Sequence, residues 1–333
     1  MGAHANISFF IPHLGCKNRC SFCNQCSITG QTVMTQGEDI KKAVEIAVKS
    51  KKYSKENTEI AFFGGSFTAI DRDYMISLLK AAFPFVKDKT VKGIRISTRP
   101  DAINDEVLKI LKKYGVTSIE LGAQSMDDNV LLLNERGHTE EDVVKASLLI
   151  KEYGFSLGLQ MMTGLYGATA ESDKKTVEKF IEISPDTVRI YPTVVLKGTR
   201  LSELVESGKY TPETVETAVN NCCEYINLFS GNNINVIRVG LHHIDESSFV
   251  AGPWHPAFSE LCMSQSFYRR VILELEKLPL GNYLLYVNDK YISAAVGQKR
   301  SNIEKFKEKG FNCRIKGDKT VKDNEFIIER EVK

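Results

Sequence analysis

Apolar and polar positions along the first two thirds of the chain follow two alternating rhythms. Short runs rich in β-branched and aromatic residues predict strands at 7–12 (ISFFIP), 59–63 (EIAFF), 93–98 (GIRIST), 117–122 (TSIELG), 155–160 (FSLGLQ) and 186–191 (DTVRIY). Between them, apolar residues recur at helical spacing over 38–51, 72–83, 104–114, 139–153 and 173–183. The segment "NDEVLKILKKYG" shows a full helix grammar, with Asn104 as N-cap, acids in the first turn, lysines in the last and Gly115 just beyond. Such strand–helix repetition predicts an α/β fold of parallel βα units. Six units fall short of the eight of a closed barrel. The expected architecture is therefore a partial (βα)6 parallel barrel, open enough to admit a large substrate.

The rhythm changes after about residue 235. "GLHHIDESSFVAGPWHPAFSEL" is irregular, and Pro253 and Pro256 break any helix there. A helix is expected at 258–277. It leads to a strand at 283–287, a short helical stretch at 290–296, the loop "GQKR", a basic helix at 301–309, and strands near 312–316 and 325–329. The chain thus divides into a barrel (1–245), a connecting segment and helix (246–280), and a small α+β module of βααββ order (281–333).

Composition narrows the setting. Hydrophobic residues make up 42% and charged residues 26%, the balance of a soluble globular protein. No apolar run approaches the roughly 20 residues of a membrane-spanning helix, and "MGAHANISFF" lacks the features of a signal peptide. A cytoplasmic protein without membrane association is expected, its eight cysteines serving as thiols or metal ligands rather than disulfides. Net charge is only +2, so a nucleic-acid partner would have to meet a local patch.

Chemistry concentrates in "IPHLGCKNRCSFCNQCSITG", where Cys16, Cys20, Cys23 and Cys26 fall within eleven positions. The C-x3-C-x2-C spacing gives three soft thiolate ligands suited to an iron–sulfur cluster or zinc. Three protein ligands leave a position open, as catalytic sites do, whereas a closed structural site takes four. A zinc knot completed by Cys26 or His13 is the alternative. Several strands also end in polar or small residues: Gly64, Gly65 and Ser66 in "FFGGSFT", Ser97, Thr98 and Arg99 in "ISTRPD", Gln124 in "LGAQS", and Gln160 with Met162 in "LGLQMMTGL". Groups at the carboxyl ends of parallel strands usually face the ligand.

The cysteine spacing, with Phe22 just before the third cysteine, resembles the signature of the radical S-adenosylmethionine superfamily. The resemblance implies that Cys16, Cys20 and Cys23 hold a [4Fe–4S] cluster whose open iron chelates the methionine end of S-adenosyl-L-methionine. It implies an electron donor such as flavodoxin or ferredoxin, and a 5′-deoxyadenosyl radical that abstracts hydrogen from the substrate. Phe22 would lie by the adenine. Gly64, Gly65 and Ser66 would receive the amino group, Ser66 replacing a commoner acid. Ser97 and Arg99 would meet the ribose or carboxylate, with Gln124, Gln160 and Met162 completing the cofactor site.

Over roughly residues 7–245, "FFGGSFT", "RPD", "ELGAQS", "NERGHT", "YPTVVLKGTRL" and "GKYTP" resemble the radical domain of the Elongator catalytic subunit and its bacterial relatives. That resemblance implies modification of a nucleoside in RNA, tRNA rather than rRNA. It makes Arg136, His138, Tyr191, Lys197 and Arg200 candidates for substrate or cofactor contacts. The first cysteine spacing is shorter than in that family, and no acetyltransferase domain follows, so the carboxymethyl product of the family does not carry over. The stretch "YISAAVGQKRSNIEKFKEKGFNCRIKG" resembles a KH RNA-binding module, in which a G-x-x-G loop clamps the nucleic-acid backbone. Gly297, Gln298, Lys299 and Arg300 occupy that loop, Arg300 standing where the second glycine would be. Residues 281–333 carry twelve basic and eight acidic residues, a modest attraction for phosphate. Trp254, the sole tryptophan, is a candidate for stacking on a base. Two other readings remain at this point: a radical enzyme acting on a small molecule such as a tetrapyrrole, and a non-enzymatic, metal-bearing RNA-binding protein.

Overall fold

The computed structural model describes residues 5–11, 20–24, 34–241, 244–322 and 325–331. His13, Cys16 and Cys26 lie outside the described residues. Strands β1 (Ala5–Ile11), β2 (Thr58–Gly64), β3 (Gly93–Thr98), β4 (Val116–Gln124), β5 (Ser156–Thr163) and β6 (Thr187–Pro192) follow the predicted periodicity. They pair in sequence order, every neighbour parallel. Helices α1 (Gly37–Val48), α2 (Arg72–Lys87), α3 (Asp105–Lys113), α4 (Asp128–Leu133), α5 (Glu140–Glu152) and α6 (Ala170–Ile183) connect them. Asn104 caps α3 as its sequence predicts, its side chain accepting from Val107 N at 3.0 Å.

Six predicted strands become seven in the structure. After a short strand β7 (Val195–Leu196), α7 (Arg200–Glu206) and α8 (Val215–Gly231), β8 (Asn235–Val239) joins β6 in parallel and ends the sheet. This strand escaped the sequence reading because it is an edge strand. Only Val239 is buried, and "NVIRV" lacks the dense apolar run of the central strands.

Alternation along the central strands divides the wall into an apolar outer face and a polar inner face. Ile60, Phe62, Ile94, Ile96, Ile119, Leu121, Leu157, Leu159, Val188 and Ile190 belong to the main core. On the opposite face, Glu59, Arg95, Glu120, Gln160 and Arg189 join in one network. Arg95 reaches Glu59 at 2.8 Å and Glu120 at 3.1 Å; Arg189 donates twice to Glu120, at 2.7 and 2.9 Å; Gln160 donates to Glu120 at 2.8 Å. Burial works to raise the Glu120 carboxyl, but Arg189 and Arg95 outweigh it and hold the group below the usual carboxylate range.

After β9 (Phe249–Ala251), which pairs with β7, helix α9 (Phe258–Leu275) contributes to two cores. Phe258 and Cys262 pack into the barrel core. Phe267, Val271 and Leu275 pack with Tyr283, Leu285, Phe306 and Phe311 of the C-terminal module. That module has the βααββ order expected: β10 (Gly281–Val287), α10 (Ile292–Val296), α11 (Ser301–Glu308), β11 (Phe311–Gly317) and β12 (Phe326–Arg330). β10 is central, parallel to β11 and antiparallel to β12.

Candidate functional site

The carboxyl ends of the barrel strands open onto a cavity of about 240 Å³. All nine residues anticipated around a cofactor line it: Phe22, Gly64, Gly65, Ser66, Ser97, Arg99, Gln124, Gln160 and Met162. Cys20, Cys23, Arg136 and Tyr191 line it as well. The two thiols belong to one tight turn, in which Cys23 N donates to Cys20 O at 3.0 Å. The described residues include no group of three or more His, Cys, Asp or Glu placed to hold a metal ion.

At the floor of the glycine turn, Gly64 has φ +101, and a Cβ there would stand 2.6 Å from the Ile11 carbonyl oxygen. Glycine is required by this approach of two backbones. Ser66 is buried and heads a chain of hydroxyls. Thr68 Oγ1 donates to Ala102 O at 2.7 Å, so Thr98 Oγ1 must donate to Thr68 across 2.6 Å, and Ser66 Oγ to Thr98 across 3.0 Å. Ser66 Oγ also accepts from Arg99 N at 2.9 Å. A hydroxyl has one hydrogen and two lone pairs, so one lone pair of Ser66 remains for a donor in the cavity.

Arg99 lines the cavity and is braced there. Its guanidinium holds Asp101 at 2.8 and 2.9 Å and donates to Arg136 O at 3.0 Å. Gln124 ends β4 in the left-handed region, φ +70, beside a register shift against β5. Its Oε1 is buried and has no partner among the described residues. Gly122 makes room for it, because a Cβ there would stand 2.9 Å from Gln124 Nε2. Gln160, tethered to Glu120, also donates to Ser97 Oγ at 3.2 Å. Burial raises the Tyr191 hydroxyl above its ordinary value, against the pull of Arg189, so it stays protonated at neutral pH.

The motifs "NERGHT" and "LKGTR" grip the cysteine turn from two sides. Ser21, fully buried, donates through Oγ to Asn134 Oδ1 at 2.6 Å and through N to Asn134 O at 3.2 Å. Leu201 N donates to Ser21 O at 2.9 Å, and Asn24 Nδ2 to Lys197 O at 2.8 Å. Lys197 therefore meets the turn through its backbone, its side chain exposed and outside the cavity lining. Arg200 pairs with Glu135 at the surface. His138 is buried behind the wall, Nε2–H donating to Ala123 O at 3.1 Å. Burial and the Arg136 charge lower its pKa to about 4, leaving it neutral at neutral pH. Nothing in the sequence signals this role of Ser21 and Asn134: an asparagine between apolar "LLL" and charged "ER" carries no mark of burial.

Outside the cavity, Gly297 is buried with φ +78, while Lys299 (φ +52) and Arg300 (φ +67) are exposed in the left-handed region. Buried Asn302 secures this turn, its Nδ2 lying 3.0 Å from Ser264 O on α9 and 3.1 Å from Ala294 O on α10. A cavity of about 390 Å³ lies beside it, lined by Arg300, Lys307 and Arg314 among others. Trp254 packs beside Phe249, ring centroids 5.9 Å apart, in a small cluster with Val194 and Leu196.

A parallel open sheet with a cysteine turn and a cavity at its carboxyl ends defines a class, and the sequence pattern agrees: the chain belongs to the Radical SAM superfamily, matched over residues 10–180. A Radical_SAM C-terminal domain matches residues 185–268. Among its relatives, the tRNA uridine(34) acetyltransferase of Dehalococcoides mccartyi is 27% identical over 62% of this chain and 52% of its own length. Human Elongator complex protein 3 is 32% identical over 49% of this chain and 34% of its own length. The chain thus spans about half the former and a third of the latter. In fold it is similar to Methanocaldococcus infernus Elp3 with an N-terminal deletion, with a TM-score of 0.64, 22% identity, and coverage of 84% of this chain and 65% of that one.

Proposed function

We propose that the cavity holds a [4Fe–4S] cluster on Cys16, Cys20 and Cys23 together with S-adenosyl-L-methionine, and that the protein modifies a nucleoside in tRNA. The observation that carries this reading is the convergence of two thiols and nine anticipated cofactor residues on one cavity. The donor set fits the two groups. Thiolates suit iron–sulfur chemistry. The remaining lone pair of Ser66 suits an ammonium, and the unpaired Gln124 Oε1 suits a hydroxyl or amino donor. Held by these residues and given an electron by a donor such as flavodoxin or ferredoxin, the two groups would supply radical chemistry able to remove a hydrogen atom from the substrate.

The protein's own contribution is placement. Phe22 covers the adenine; the Gly64–Gly65 backbone and Ser66 receive the amino group; Ser97, Gln124 and Gln160 orient ribose and carboxylate; Met162 and Tyr191 form the wall toward the substrate. Arg99 acts through Asp101 and the Arg136 carbonyl, as a strut. His138 acts from behind the wall by fixing the Ala123 carbonyl, and Lys197 by holding Asn24. The apolar lining keeps water from the reacting atoms.

The tRNA assignment is supported by the likeness to the Dehalococcoides tRNA uridine(34) acetyltransferase and by the C-terminal module. Exposed Lys299 and Arg300, on a turn fixed by Asn302, suit a KH-like backbone clamp, with Arg300 and Lys307 beside the neighbouring groove. Trp254, packed against Phe249, has the role of filling the interface around β7 and β9. Mass spectrometry of tRNA and rRNA nucleosides from cells with and without the protein tests the substrate. Loss of one modified nucleoside from tRNA is expected; a change confined to rRNA, or none, contradicts it.

A further inference from the structure

Arg136 is a buried cation that meets no carboxylate among the described residues. It is 6% exposed and takes part in no ion pair with Asp or Glu among the described residues. One guanidinium nitrogen, Nη1, lies 3.0 Å from Cys20 Sγ; Nη2 donates to Gly122 O; Nε is buried with no partner among the described residues; and the guanidinium carbon sits 5.9 Å from the Phe22 ring centroid. The side chain is over-determined. Its backbone carbonyl is held by Arg99, and Asn134, two residues earlier, is locked to Ser21 in the cysteine turn. Burying a charge this fully is unfavourable unless an opposite charge is supplied. A carbonyl oxygen and a ring face do not supply one.

We infer that Arg136 is the built-in counter-ion of the iron–sulfur cluster, donating an N–H···S hydrogen bond to the Cys20 ligand and thereby raising the cluster's reduction potential. The inference rests on the reading of the cavity given above and extends it to a residue that touches no part of the substrate. Three thiolates leave the oxidised cluster net negative, and reduction adds one further negative charge. A fixed positive charge in a low-dielectric surround favours the more negative state, and a hydrogen bond to sulfur draws electron density in the same sense. Arg136 is thus a positioning and tuning residue, and its effect is present before S-adenosyl-L-methionine binds.

The test is a redox titration of the anaerobically reconstituted full chain, followed by electron paramagnetic resonance without S-adenosyl-L-methionine, on the wild type, Arg136→Met and Arg136→Lys. At a fixed solution potential, Arg136→Met is expected to lower the reduced-to-oxidised ratio about tenfold, a negative shift of about 59 mV for a one-electron couple. Arg136→Lys, which keeps the charge and loses the fork, should fall between the two. An unchanged potential in Arg136→Met, with only S-adenosyl-L-methionine affinity reduced, would make Arg136 a clamp for the cofactor carboxylate and overturn the inference. If Arg136→Met takes up no cluster while Arg136→Lys does, the counter-ion role is supported; folded protein of both variants without cluster would make Arg136 a structural mount instead. A wild-type chain that itself loads no [4Fe–4S] cluster would refute the reading of the cavity rather than this inference alone.

Discussion

Single residues in the cavity separate folding from binding. Gly64 and Gly122 both face the site, but an added methyl meets backbone at Gly64 and the end of a flexible side chain at Gly122. Gly64→Ala is expected to shift the β1–β2 junction and lower stability by about 1–3 kcal/mol. Gly122→Ala should keep the melting temperature within a few degrees while weakening S-adenosyl-L-methionine binding at least several-fold, as isothermal titration would show. His138 gives a pH signature. Its folded pKa of about 4 lies below the ordinary 6.5, so the unfolded chain binds the proton more tightly. Stability from this group is complete above pH 6.5 and is lost as pH falls toward 4, by on the order of 3 kcal/mol. Asp173, pushed up to about 7 by burial, slopes the other way over the same range. The comparison is therefore the urea-unfolding difference between wild type and His138→Gln, which should shrink or reverse between pH 7.5 and about 4.5.

At the scale of elements, the buried network leaves a signature in the sequence. "TEIAF", "GIRIS", "SIELG" and "TVRIY" each place one charged residue inside an apolar strand, and four such charges on neighbouring strands announce a polar inner wall. The strand and helix rhythm itself was legible because alternation and capping are local. The clamp of Ser21 on Asn134 was not, because it joins residues 113 positions apart and neither side chain differs from a surface one in type. Glu120→Gln is expected to lower stability by about 3–5 kcal/mol, since it leaves the Arg189 and Arg95 charges buried and half-paired. It should also loosen Gln160 over the cavity. Chemical denaturation measures the first effect, and a loss of 5′-deoxyadenosine formation out of proportion to lost folded protein measures the second.

Across the whole molecule, α9 joins the barrel to the C-terminal module through Cys262 on one side and Phe267, Val271 and Leu275 on the other. Such a shared helix can hold an RNA-binding surface at fixed distance from a reaction site. Lys299→Glu with Arg300→Glu should cut tRNA affinity at least tenfold and flatten its salt dependence, while leaving cleavage of S-adenosyl-L-methionine without RNA unchanged. Filter binding at two salt concentrations reads the first, chromatography of the nucleoside the second. Unchanged affinity would remove the KH-like role from this turn. The module's order of elements was legible in sequence; its dependence on α9 for a core was not, since periodicity shows an apolar face but not what covers it.

The central claim is that the cavity at the strand ends is a cluster and cofactor site, and one measurement meets it directly. Anaerobically reconstituted protein, reduced and given S-adenosyl-L-methionine, should be brown, show the electron paramagnetic signal of a reduced [4Fe–4S] cluster and release 5′-deoxyadenosine; Cys16→Ala, Cys20→Ala or Cys23→Ala should abolish all three. A colourless protein that retains zinc, with no 5′-deoxyadenosine formed, would contradict the account.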